Sequence, residues 1–170
     1  MIDKKIVIIG FGNLGRGIAN YIRSLGYHKV IYIWNRSKVT NINGYGKIKI
    51  LNKKLSSFKF KNKIIIVSTT SGAYEYIAME LMGAVSCDVI LVSGCFGGYY
   101  IFEQLKRNNI FEINPSPINV RISMLGKIKY FSKVLPYYIG TTKKNINKLK
   151  YLFPEGMYVS PLFSTLNNIE

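Results

Sequence analysis

The residues whose types and spacing could do chemistry begin at Gly10-Phe11-Gly12-Asn13-Leu14-Gly15, three glycines spaced Gly-x-Gly-x-x-Gly. In such a run the first glycine permits a tight turn, the second lets an anion come against the backbone, and the third lets a helix pack close to a strand. The first amides of a following helix have no partner of their own and face that anion with the positive end of the helix dipole. The spacing alone is a weak signal. Here it follows a β-branched run directly and opens a helical pattern, the setting in which it cradles the pyrophosphate of a dinucleotide.

About twenty residues later, a unit of this kind that takes NAD places a carboxylate on the adenosine ribose hydroxyls. This chain has Asn35-Arg36-Ser37-Lys38 instead. Nothing there repels a 2′-phosphate: Asn35 and Ser37 offer hydrogen bonds, Arg36 a forked charge-assisted contact and Lys38 further positive field. NADP(H) is therefore expected in preference to NAD(H). Two further segments, Ser68-Thr69-Thr70 and Ser93-Gly94-Cys95-Phe96-Gly97-Gly98, end apolar runs and belong at the carboxyl edge of a parallel sheet, where open α/β folds bind ligands. Ser68, Thr69, Thr70, Gly94 and Cys95 are accordingly expected to border the dinucleotide.

Catalytic groups are sparse. Cys95 has no histidine placed to activate it. His28 is the single histidine, and its place in Gly26-Tyr27-His28-Lys29 puts it at the end of the sheet remote from the ligand edge. Among the carboxylates only Glu112, beside Asn114-Pro115-Ser116-Pro117, is expected to approach the cleft. No acid–base constellation is complete, so no catalytic residue is assigned. Cys87 and Cys95 carry neither a CxxC nor a Cys/His ligand spacing, so a disulfide framework is excluded and no metal site is expected.

The elements that must position these residues alternate along the chain. Lys5 to Ile9 reads as a strand buried on both faces, and Leu14, Ile18, Tyr21, Ile22 and Leu25 recur at helical spacing up to Gly26. Lys29 to Trp34, Lys47 to Leu51, Ile64 to Val67 and Val89 to Val92 read as further strands, with a helix from Ala73 to Met82 between the last two. From Asn109 short runs at Ile110–Ile113, Asn119–Met124, Lys127–Ser132 and Tyr137–Ile139 read as extra C-terminal strands closing the sheet. Lys143 to Phe153 reads as a last amphipathic helix. The expected class is α/β, a Rossmann-like doubly wound, mainly parallel sheet in a single dinucleotide-binding domain over residues 1–170.

Composition agrees. In 170 residues, 48% hydrophobic content is enough to bury a core and excludes a disordered chain. No run approaches the ~18 consecutive apolar residues of a spanning helix, and the N-terminus does not read as a cleavable signal, so a cytoplasmic protein without a membrane partner is expected. The net charge is +16, from 24 Lys and Arg against 8 Asp and Glu. The lysines are scattered with no compact arginine cluster and read as solvated faces on a biased composition, so nucleic acid is not an expected partner.

The whole chain resembles the N-terminal NAD(P)-binding domain of the opine dehydrogenases of octopine and nopaline type, relatives of the 6-phosphogluconate and glycerol-3-phosphate dehydrogenases. Beyond the glycine run, the resemblance lies in Ser93 to Gly98, similar to that family's Asn-Pro-Gly-x-x-Gly-Gly loop, and in Glu112 followed by proline-containing residues up to Arg121 and the strand Gly126 to Tyr130. It continues in Leu135-Pro136, Leu152-Phe153-Pro154 and Leu162-Phe163-Ser164-Thr165-Leu166-Asn167-Asn168. Ser93 in place of the loop's Asn-Pro opening, and Cys95-Phe96 in place of its polar middle, depart from the pattern on the nicotinamide side.

The resemblance implies reductive coupling of an amino acid's amine to a 2-oxo acid, with reducing equivalents from NAD(P)H. That family's catalytic histidine and aspartate belong to a following helical domain with no counterpart in residues 1–170. Three expectations stay open: the cofactor half of a reductase completed by a partner chain, domain or second copy; a free-standing NADP(H)-binding sensor; and a basic interaction protein that has lost the cofactor. The first expects an apolar docking surface near Tyr158 to Leu166.

Overall fold

A continuous β-branched run loses least, and gains most, when both of its faces are covered, and Lys5–Ile9 (β1) becomes the centre of the sheet for that reason. In the computed structural model, which describes residues 3–92, 97–114, 118–122, 128–133, 137–142, 145 and 147–159, Ile6 to Ile9 are all buried. Each such side chain contributes roughly 1.5–3 kcal/mol when withdrawn from water.

β1 runs into α1 (Asn13–Ser24), then β2 (Ile31–Trp34), β3 (Ile48–Ile50), β4 (Lys63–Val67), α2 (Tyr74–Glu80), β5 (Asp88–Leu91), α3 (Gly98–Phe102) and β6 (Asn109–Asn114). These six strands are parallel to their neighbours in the order β3-β2-β1-β4-β5-β6, the order of a dinucleotide-binding doubly wound sheet. Beyond β6 the sheet continues with antiparallel β9 (Tyr138–Gly140) and then β10 (Met157–Val159), making eight strands. The expected α/β class and Rossmann-like sheet with added C-terminal strands are observed.

Two cores cover the two faces. On one, α1 packs Ile18, Tyr21 and Ile22 against Ile6, Ile8, Ile31 and Ile33, joined by Leu149, Leu152 and Phe153 from the C-terminal part. On the other, Tyr74 and Ile77 of α2, Leu81 just after it, and Tyr99 and Phe102 of α3 cover Val7, Ile9, Ile65 and Val89. Arg23 pins the far end of α1, its guanidinium donating to the carbonyls of Tyr27, Lys29, Tyr45 and Lys47 at 2.6–3.0 Å.

Three expectations change. β7 (Ile118–Ile122) and β8 (Ile128–Lys133) do not close the sheet; they pair only with each other and lie against α1. Prolines at 115, 117 and 136 bracket this hairpin in sequence, and proline cannot donate to a ladder. The described residues of the expected Lys143–Phe153 helix form turns, with Lys148 N–H donating to Asn145 O and Leu152 N–H to Leu149 O. Leu149 and Leu152 are buried regardless, because spacing of three serves a series of turns as well as a helix. Third, a helix not assigned from the sequence, α3, begins at Gly98.

Candidate functional site

The turn between β1 and α1 sits at the carboxyl edge of the sheet, between β1 and β4, where the strand order reverses. Gly10 holds φ +91°, and a Cβ there would meet Thr69 Cγ2 at 2.7 Å and the Ser68 carbonyl oxygen at 2.9 Å. A Cβ on Gly15 would lie 2.0 Å from the Gly10 carbonyl oxygen, so α1 approaches the turn as closely as glycine allows. Gly12 differs: a Cβ there meets nothing within 4 Å, so the space over it is open. No acidic residue and no side-chain cap occupies the first turn of α1, which leaves the N–H groups at Gly12, Asn13, Leu14 and Gly15 without intrahelical acceptors.

Side chains around the turn hold it in place. Ser68 Oγ donates to Gly10 O at 2.7 Å. Phe11 N–H donates to Asn35 Oδ1 at 3.0 Å, while Asn35 Nδ2 donates to Ser37 O and Ser37 Oγ at 3.1 and 3.0 Å. Because Ser37 Oγ accepts from Asn35, its own hydrogen is left to donate elsewhere. Phe11 and Asn35, read from sequence as ligand contacts, thus tie the glycine turn to the end of β2. The Phe11 ring is buried edge-on against Tyr45, and the Arg16 guanidinium lies 5.2 Å and 5.5 Å from these two ring centroids while donating to Thr40 O and Asn41 O.

Beyond Asn35 the chain opens into two adjoining clefts of about 580 and 630 Å³. The first brings Arg36 and Ser37 together with Thr69 and Thr70. The second joins Arg36, Ser37 and Lys38 to Lys53 and Lys54, which follow β3. Tyr76 borders both and is exposed. Among the described residues no carboxylate lines either cleft, so the field there is positive. Lys53, Lys54 and Tyr76 were missed in the sequence; the lysine pair stands immediately after a strand-like run, which is the signal that could have found it.

The remaining expectations divide. Gly94 and Cys95, with Ser93 and Phe96, lie outside the described residues, as do Leu162 to Asn168 and most of the expected docking surface. Glu112 does not line the clefts described above. It is 1% exposed, and its carboxylate accepts from Gly98 N–H at 3.0 Å and Tyr99 N–H at 3.3 Å at the start of α3. Burial pushes its carboxyl above the usual range, against the opposing pull of those amides and Asn114. His28 is exposed at the opposite edge of the sheet. Among the described residues, no cluster of His, Cys, Asp or Glu could hold a metal ion, and no helix is long and apolar enough to cross a membrane.

No protein-family model matches the chain, and no curated protein matches its sequence. Solved structures do match. An octopine dehydrogenase with NADH and pyruvate is 10% identical over 97% of this chain and 52% of its own, with a TM-score of 0.73. A yersinopine dehydrogenase with NADP+ bound is 11% identical over 93% and 47%, TM-score 0.67. Prephenate dehydrogenase from Aquifex aeolicus is 15% identical over 94% and 62%, TM-score 0.62. The chain therefore spans about half to two-thirds of the length of these structures, and it has the Rossmann-like fold of NAD(P)-binding dehydrogenases, opine dehydrogenases among them.

Proposed function

We propose that residues 1–170 form the NADP(H)-binding part of an opine-dehydrogenase-like reductase, one that couples an amino acid's amine to a 2-oxo acid, with the acid–base groups supplied by a further domain or a partner chain. The observation that carries this reading is the cleft beyond β2, lined by Arg36, Lys38, Lys53 and Lys54 with no described carboxylate and latched to the glycine turn through Asn35. A ribose carrying only hydroxyls has no use for that field, whereas a 2′-phosphate does.

The residues fit the group. The open space over Gly12 and the uncapped amides at the start of α1 suit a pyrophosphate. Arg36 and the Ser37 hydroxyl suit the 2′-phosphate, with Lys38, Lys53 and Lys54 adding charge. A bound nicotinamide dinucleotide supplies reducing equivalents. The chain's own part is to bind and orient it, since the single histidine stands at the opposite edge and Glu112 is committed to α3. The neighbours named with NADH and pyruvate or with NADP+ support the class of chemistry.

Arg36→Ala tests the reading. Loss of one charge-assisted contact should weaken NADPH binding by about 1–3 kcal/mol and leave NADH within about twofold. Equal loss for both dinucleotides contradicts the assignment.

A further inference from the structure

The scattered lysines of the sequence do not stay scattered. In a parallel sheet every strand begins at the same edge, so residues that precede successive strands are gathered there by the fold. Lys4 precedes β1, Lys29 precedes β2, Lys47 precedes β3, and Lys106-Arg107 precede β6. Lys148 joins them, its Nζ donating to Asn109 Oδ1 at 2.9 Å at the start of β6.

Two neighbouring hollows lie along this edge, opposite the glycine turn. One, of about 600 Å³, is rimmed by Lys4, Lys106, Arg107 and Lys148. The other, of about 570 Å³, is lined by His28, Lys29 and Lys47. Among the described residues six cations thus line the pair against one lining carboxylate, Asp88, which is 2% exposed; two of the six are ion-paired, Lys4 with Asp88 and Lys29 with the exposed Asp3 at 2.9 Å. Asp88 fixes the rim: its Oδ2 lies 2.6 Å from Lys4 Nζ, and its Oδ1 accepts from Asn109 Nδ2 at 2.7 Å. Tyr151 is 44% exposed and lines both hollows, standing between them.

A row of cations with a flat exposed ring set between two hollows is the arrangement that holds a single strand, phosphates on the cations and an unpaired base stacked on the ring. A duplex keeps its base faces covered and has nothing to offer Tyr151. We propose that this amino edge of the sheet is a second binding face, separate from the dinucleotide cleft, that takes the phosphodiester backbone of a single-stranded nucleic acid, with Tyr151 stacking on one base.

The test is fluorescence anisotropy with a labelled single-stranded RNA of mixed sequence, about a dozen nucleotides long, a length within the range such surfaces cover. The double variant Lys106→Glu/Arg107→Glu and the variant Tyr151→Ala should each weaken binding by about tenfold or more. Lys49→Glu/Lys59→Glu changes the net charge by the same amount at exposed residues that line neither hollow, and should cost less than about threefold. Binding should fall steeply with salt, and saturating NADPH should not displace the RNA. Circular dichroism and NADPH titration of each variant establish that it is folded.

Four results overturn the proposal. Equal loss in the two charge-changed variants means the RNA responds to total charge alone. Displacement by NADPH puts it in the dinucleotide cleft. Tighter binding of duplex RNA or of a poly-glutamate peptide assigns the face to another partner, and no binding at low salt removes it.

Discussion

Gly15→Ala and Gly12→Ala separate what the glycine run does for the fold from what it does for a ligand. A Cβ on Gly15 would lie 2.0 Å from the Gly10 carbonyl oxygen, where ordinary contact begins at 3.4 Å, so α1 must withdraw by more than an ångström. The obstacle cannot yield cheaply: it is backbone, held by the Ser68 hydroxyl at 2.7 Å and by the positive φ of Gly10. Withdrawal loosens Ile18, Tyr21 and Ile22 from the sheet. Overpacking of this sort costs about 1–3 kcal/mol, and rigid backbone on both sides puts Gly15→Ala at the upper end. Thermal unfolding followed by circular dichroism should show a midpoint lower by roughly 6–12 °C, at about 2–4 °C per kcal/mol for a chain this size. Gly12 has φ −78° and open space around it, so alanine there should change stability by less than about 1 kcal/mol. The same substitution should weaken NADPH binding by about tenfold, because only a ligand lying against the backbone can meet the new methyl group. A Gly15→Ala protein as stable as the parent, or a stable Gly12→Ala protein that binds NADPH unchanged, refutes the reasoning.

Two further substitutions probe the buried groups. Glu112 keeps its proton to a higher pH when folded, so between the ordinary carboxylate range and that raised value the folded chain binds more protons than the unfolded one. Stability should therefore fall as pH rises through that window, and Glu112→Gln should flatten this part of the urea-midpoint profile; identical slopes in the two proteins contradict it. Cys87 is fully buried and its thiol is pushed up by burial, so in a Cys95→Ser protein the remaining thiol should react with a disulfide reagent only after unfolding.

Legibility in the sequence followed how local each cause is. β1 and the glycine turn could be read because an unbroken apolar run and the close approach of α1 to Gly10 are set within a dozen residues. His28 could be placed at the amino edge because it lies between α1 and β2, and it is exposed there. The hairpin β7–β8 could not be read, since leaving the sheet changes no local pattern: the same alternation serves a strand laid on α1. α3 hid behind Gly97-Gly98, and its five residues are too few to show a period. The roles of Phe11 and Asn35 depend on a hydrogen bond across 24 positions, and Lys53 and Lys54 join Arg36 only once β3 is paired with β2. Likewise, the lysines that read as solvated faces converge because parallel strands share a starting edge.

The central claim is that the carboxyl edge of this sheet holds a 2′-phosphorylated dinucleotide. Equilibrium titration of the unaltered chain with NADPH and with NADH, followed by nicotinamide fluorescence, tests it most directly. Both should bind in the same cleft, with NADPH tighter by about tenfold or more, the value of one charge-assisted phosphate contact. Equal affinities, or a preference for NADH, would contradict it, as would a folded chain that binds neither.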